Sequence, residues 1–182
     1  MNDVYTLQRI FKKFLAALET FYQKESLLVE YKVAERALTH KLAEHIQREF
    51  PEYDVDCEYN KVGEGDPKRL GWFVYETQGV RSNTCHGDCD RCRRNKCVIF
   101  PDIIVHHRGK SENLLVVEAK TAWCERSRKK DFKKLQGLVN SEEYQYSLGI
   151  SIVFHDQIEM TKESIRLFSR NQDEIKDIER LV

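Results

Sequence analysis

A chain of 182 residues, 41% of them hydrophobic and 33% charged, is long enough for one compact core and has a soluble, globular composition rather than a disordered or fibrous one. No apolar run reaches the length of a membrane span, and Lys12 and Lys13 interrupt the apolar residues of the N-terminal segment. Neither a spanning helix nor a secretory signal is therefore expected, and a cytoplasmic location is the default. The formal net charge is zero, but the charge is unevenly spread: Arg126, Arg128, Lys129, Lys130, Lys133 and Lys134 face a single acid, Asp131, and Arg91, Arg93, Arg94 and Lys96 form a second basic cluster. Each run alone reads as a solvated face.

In chain order, Val4, Leu7, Phe11, Phe14, Leu15 and Leu18 fall at helical spacing and predict a helix to about Tyr22. A second helix is predicted from about Leu28 to Phe50, with Val33, Ala37, Leu38, Leu42 and Ile46 on one stripe and Pro51 as its stop. Tyr53 to Asn60 alternates as a strand does. Gly63, Gly65, Asp66 and Pro67 mark a turn, without the Gly-Lys-Ser/Thr ending of a phosphate-cradling loop, and Trp72 to Thr77 reads as a short strand. Val98 to Val105 is an apolar strand broken by Pro101-Asp102, and a turn at Gly109-Lys110-Ser111 joins it to the near-continuous strand Leu114 to Lys120. A basic helix over Ser127 to Tyr144 turns Phe132, Leu135, Leu138 and Val139 inward, and a strand follows from Leu148 to Phe154. The tail from Thr161 reads as helical, a strand start over Ile158 to Phe168 being the alternative. The order of elements is that of an α/β domain built around one sheet.

Two acids stand where apolar strands have little use for them. Asp102 interrupts one strand and Glu118 ends the next; an acid so placed is paired or binds metal. Side chains two apart on a strand share a face, so Glu118 and Lys120 point the same way, and the short turn between the strands brings Asp102 beside Glu118. Taken alone, the three residues fit a buried ion pair as well as a site for a divalent cation and a phosphate.

Pro101-Asp102 followed by Glu118-Ala119-Lys120 resembles the PD-(D/E)XK nuclease superfamily, with its restriction-endonuclease-like fold. Glu35 on the upstream helix, the strand Val55 to Asn60, the helix opening Asp131-Phe132-Lys133-Lys134-Leu135 and the strand Gly149 to Phe154 carry the likeness over roughly residues 28 to 155. The resemblance implies an α-β-β-β-α-β core with a central mixed sheet flanked by helices, in one nuclease domain over residues 1–182. It implies that Asp102, Glu118, the Ala119 carbonyl and Glu35 hold Mg²⁺ or Mn²⁺. Lys120 would orient the attacking water and steady the charge on the phosphate, while Lys134 or Gln136 would touch the scissile phosphate. With basic runs on either side of the acids, Arg93, Arg94, Lys129, Lys130 and Lys134 are the expected nucleic-acid contacts.

Cys85, Cys89, Cys92 and Cys97 lie within thirteen residues, a tightness that favours metal over disulfides in an intracellular protein. Four thiolates suit a closed, structural zinc site, a small knuckle inserted ahead of the Asp102 strand; His86 could replace one thiolate, and an iron–sulfur cluster is the rival. Cys57 and Cys124 stand alone and read as core or surface thiols, and His106 and His107 as satisfied strand-end histidines. Trp72, Trp123 and Tyr59 are candidates for stacking on bases, though core or rim positions are commoner for such rings.

The reading that follows is a metal-dependent endonuclease, acting on DNA before RNA, in defence, restriction or repair. The alternative is a zinc-stabilised nucleic-acid-binding or assembly subunit whose nuclease activity is absent or depends on a partner. A one-site chain cutting both strands calls for a homodimer or a partner protein.

Overall fold

Thr6 opens the first helix: its side-chain oxygen accepts from the Arg9 N–H at 3.2 Å and caps α1 (Leu7–Glu30). The computed structural model describes residues 6–62, 66–71, 96–110, 113–124 and 127–179. Ile10, Phe11, Phe14, Leu18 and Phe21 of α1 are fully buried, as their spacing requires. The helix is irregular at Glu25 (φ −116°, ψ 17°) but continues to Glu30, beyond the end expected near Tyr22. Leu28 and Val29 prolong its apolar stripe, and no glycine or proline marks its end. The break comes instead at residues 31–34, where Lys32 adopts a left-handed conformation (φ 51°) and donates its N–H to the Val29 carbonyl at 3.0 Å. Helix α2 (Glu35–Glu49) then runs back along α1: Phe21 and Glu25 meet His45, and Lys13 donates to the Glu49 carbonyl. The single helix expected over 28–50 is thus two helices joined by a short turn.

The described strands are β1 (Asp54–Cys57), β2 (Lys61–Val62), β3 (Asp66–Pro67), β4 (Arg69–Gly71), β5 (Lys96–Val98), β6 (Ile103–His106), β7 (Asn113–Thr121), β8 (Leu148–Phe154) and β9 (Arg166–Phe168). Five of them form a mixed sheet in the order β1-β6-β7-β8-β9, in which only β7 and β8 run parallel. The crossover between those two carries α3 (Lys129–Asn140), shorter than the helix expected over 127–144. The remaining strands pair as two small ribbons, β2 with β3 and β4 with β5. The strand expected over 98–105 is therefore divided: residues up to Val98 join β4, Pro101 lies in the gap, and β6 begins only after Asp102. The tail holds both alternatives in part, with α4 (Ile158–Glu163), β9 on the sheet edge and α5 (Gln172–Glu179). The strand expected over 72–77, the turn at Gly63 and Gly65, and Cys85, Cys89 and Cys92 lie outside the described residues, as does the side chain of Cys97.

Alternation along the strands divides the core. Ile103, Val105, Val117, Ala119, Ile150 and Ile152 face α1, α2 and α5. Ile104 and Val116 face the other way and pack with Leu135, Leu138 and Val139 of α3. Gly149 makes this second contact close, because a Cβ there would stand 3.2 Å from both Phe168 Cβ and Val139 Cγ1. Tyr144 anchors the β4 ribbon by accepting from the Arg69 N–H at 2.6 Å and donating to the Arg69 carbonyl at 2.9 Å. No helix among the described residues is long and apolar enough to cross a membrane.

The α3 side of the sheet also carries polar groups. At the end of β6, buried His106 lies 2.9 Å from Asp56 Oδ2, and Arg108 grips both oxygens of Asp56 at 2.8 and 2.5 Å. Burial works to raise the Asp56 carboxyl, but Arg108 and His106 outweigh it and hold it below its ordinary value. Lys68 is 2% exposed, donates to the Lys61 carbonyl at 2.9 Å and stands 4.8 Å over the Tyr59 ring; burial pushes it down to about 8.

Candidate active site

At the opposite end of β6 the sheet gathers acids and lysines. Ile103 pairs with Val117, so the preceding Asp102 stands across from Glu118. Because β6 starts only after Asp102, its carboxylate takes the place of a strand partner: Oδ2 accepts from the Ala119 N–H at 2.8 Å. Its carbonyl accepts from the N–H of Glu58, itself left-handed (φ 52°), at 3.2 Å.

Glu118 points under α3 and is 1% exposed. Its Oε2 lies 2.6 Å from Lys134 Nζ, while Oε1 is buried with no hydrogen-bond partner. Burial pushes this carboxyl up to about 8; the Lys134 ammonium pulls it back, and the Asp102 charge adds to the rise. Lys134 also donates to the Phe100 carbonyl at 3.0 Å. Burial alone would lower Lys134, but Glu118, with Asp102 and Asp131, outweighs it and raises the amine.

Lys120, two residues beyond Glu118 and on the same face, donates to the Ala119 carbonyl at 2.8 Å and to Glu35 Oε1 at 3.3 Å. Asp131 Oδ2 is 3.5 Å from the same ammonium. Glu35 is the first residue of α2, where the helix dipole favours an anion. Against burial, Asp131, Asp102, Glu35 and Glu118 together raise the Lys120 amine. Burial raises Asp131, with Lys120 and Lys134 opposing.

Four carboxyls (Asp102, Glu118, Asp131 and Glu35) thus stand around two ammoniums, Lys120 and Lys134. With every group ionised the cluster lacks two positive charges, which is why burial and mutual repulsion lift its innermost acid. Among the described residues, no three His, Cys, Asp or Glu side chains close around one point as a caged metal site would. A hard divalent cation of the magnesium type needs no such cage; one or two carboxylates with water and phosphate oxygens suffice. Asp102, the free oxygen of Glu118 and the Ala119 carbonyl are donors of that hard, oxygen-only kind.

The cluster opens onto a cavity of about 840 Å³ lined by Glu35, Arg36, His40, Cys57, Glu58 and Asp102. Lys129 and Lys130 are exposed at the start of α3, whereas Lys134 points inward to Glu118. Gln136 is exposed on the same helix. Arg93 and Arg94 lie outside the described residues. His106 is held by Asp56, and His107 stacks on Tyr53 at 4.3 Å. Asp131 was not among the residues the sequence singled out for the site. Its signal was present: it shares the inward stripe of α3 with Leu135 and Leu138, a position where an acid needs a partner.

Comparison of the chain with protein-family models, with curated proteins and with solved structures gives no match in any of the three.

Proposed function

We propose that this chain is a divalent-metal-dependent nuclease of the PD-(D/E)XK type, with a restriction-endonuclease-like core, that hydrolyses phosphodiester bonds of nucleic acid, DNA before RNA. The observation that carries the reading is the excess of four carboxyls over two ammoniums around Glu118, whose Oε1 is buried without a partner. A divalent cation supplies the missing charge. Asp102, Glu118 and the Ala119 carbonyl would hold Mg²⁺ or Mn²⁺, with Glu35 nearby. Bound there, the ion would neutralise phosphate charge and make a coordinated water more acidic.

The chain's own residues do the rest. Asp102 is fixed by the Ala119 N–H, so its carboxylate is oriented before any ligand arrives. Lys134 holds the Glu118 carboxylate from beneath. Lys120 stays protonated because four acids together outweigh its burial, so it serves as a hydrogen-bond donor and fixed positive charge toward the phosphate and the attacking water. It is not the base. The cavity beside Asp102 offers the substrate a way in. Cys85, Cys89, Cys92 and Cys97 would form a structural zinc knuckle, with basic Arg93 and Arg94 between ligands.

The test is cleavage of a panel of DNA and RNA substrates with Mg²⁺ or Mn²⁺, wild type beside Lys120→Ala. Cutting by wild type, lowered about 10²–10³-fold in the variant, is the expected result. One contact favours a second reading, a zinc-stabilised binding or assembly subunit whose acids are structural: Lys134 already neutralises Glu118 at 2.6 Å. That reading requires Asp102→Ala to bind nucleic acid as tightly as wild type, with neither protein cutting.

A further inference from the structure

Beyond Lys120, the C-terminal ends of parallel β7 and β8 open on a second cavity of about 260 Å³, lined by Lys32, Trp123, His155, Asp156, Gln157 and Met160. Ligands of α/β proteins favour this edge of a sheet, outside the carboxyl ends of its strands. The walls are fixed. Ala122 N–H donates to the Phe154 carbonyl at 2.9 Å, His155 N–H donates to Thr161 Oγ1 at 2.8 Å, and the His155 carbonyl accepts from the Tyr22 hydroxyl at 2.7 Å. Trp123 is partly buried against the main core and also lines the cavity, as does half-exposed Met160. Lys32 reaches the rim from a left-handed backbone (φ 51°) at the end of α1, where glycine would be unstrained. Non-glycine residues held in this conformation are enriched at ligand sites.

Resting on the nuclease reading, we infer that this cavity receives one unpaired nucleobase of the bound strand, its ring against Trp123 and Met160 and its edge toward Asp156 and Gln157. The volume lies below the roughly 300–1,000 Å³ of pockets that enclose whole drug-sized ligands, so it suits a single ring system. Trp123 follows Lys120 by three residues, no more than about 10 Å of extended chain. A base held there belongs to a nucleotide next to the phosphate at Lys120, and the Lys32 ammonium meets the adjoining backbone phosphate. A base can enter only if it is unstacked, so the substrate is single-stranded at this point or gives up a base from its stack.

The chain has two tryptophans, so Trp72→Phe leaves Trp123 as sole reporter. Its fluorescence is followed while dAMP, a single-stranded oligonucleotide or the matching blunt duplex is added, with Ca²⁺ in place of Mg²⁺ to prevent turnover. The expected result is a Trp123 signal with the single strand and more weakly with dAMP. Ala122→Phe, which fills the cavity from an exposed position, and Lys32→Gly should each weaken single-strand binding about tenfold, within the range of one lost base–aromatic stack. An abasic site in the strand should abolish the effect of Ala122→Phe. Lys32→Gly should at the same time raise Tm, the opposite direction from its effect on affinity. A Trp123 signal unmoved by strand and mononucleotide overturns the inference, as does single-strand affinity unchanged in both variants. If wild type still cuts nucleic acid in that case, the nuclease reading stands without the base pocket. A Trp123 response with no cutting of any substrate would leave the pocket and remove the nuclease.

Discussion

Lys134 Nζ lies 2.6 Å from Glu118 Oε2 in a space that leaves Glu118 1% exposed. The pair joins the inward face of α3 to the middle strand of the sheet, and the other Glu118 oxygen has no partner. Breaking a buried pair from one side leaves a charge stranded. Lys134→Met should therefore cost about 3–5 kcal/mol at pH 9, where Glu118 is ionised, and less at pH 5, where the carboxyl escapes by keeping its proton. Urea unfolding at the two pH values measures the difference; equal losses would show that Lys134 does not carry Glu118's charge.

The Glu118 carboxyl also sets a pH slope. Folded, it holds its proton up to about 8; unfolded, it releases it near the ordinary 4.5. Between those values the folded state binds more protons, so this group's contribution to stability is complete below pH 4.5 and is lost as pH rises toward 8. Glu118→Gln, a fixed mimic of the protonated form, should flatten that part of the stability profile in EDTA. A profile as steep as that of wild type would assign the slope to other groups.

Lys68 runs the other way. Its amine is pushed down to about 8 from 10.5 in the fold, so the unfolded state binds more protons from pH 8 to 10.5, and stability from this group rises across that window. At pH 7 it is a buried cation whose contacts are a carbonyl and a ring face, with the Asp56 charge only partly offsetting its desolvation. Lys68→Met should stabilise the protein by roughly 1–2 kcal/mol at pH 7, the lower part of the gain seen when buried charges are replaced by apolar isosteres. A loss of stability on thermal unfolding would mean that the Lys61 and Tyr59 contacts outweigh desolvation.

Two substitutions separate the Ala119 contact of Asp102 from its proposed part in cleavage. Asp102→Asn keeps an oxygen for the Ala119 N–H and should leave stability within about 0.5 kcal/mol while removing cleavage. Asp102→Ala should lose cleavage and also about 1–3 kcal/mol, because the Ala119 N–H is left unsatisfied. Activity in the Asn variant comparable to wild type would take Asp102 out of the proposed chemistry.

The cysteine cluster predicts one zinc per chain by elemental analysis, lost in Cys89→Ser together with thermal stability. Visible absorption with bound iron would instead identify an iron–sulfur cluster.

Much of the site was legible because strands obey a period of two. The apolar run ending in Glu118 and the short turn after Val105 put Asp102 across from Glu118 and Lys120 on Glu118's face, and the register of Ile103 with Val117 agrees. The partners of those acids were less legible. Asp131 shares the apolar stripe of α3, but the run of bases around it and Lys134 reads by itself as a solvated face, and only the seating of α3 against β7 decides which acids and ammoniums meet. The turn after α1 escaped for a related reason: its left-handed residue is Lys32, and no glycine announces it. Periodicity fixes which way a side chain faces along its own element, whereas the charge it meets there depends on which element packs across from it. That is why the sequence determined the strand-borne acids and Lys120, and only the tertiary structure decided that Lys134 answers Glu118, that Lys68 is buried, and that Lys32 and Trp123 share a cavity.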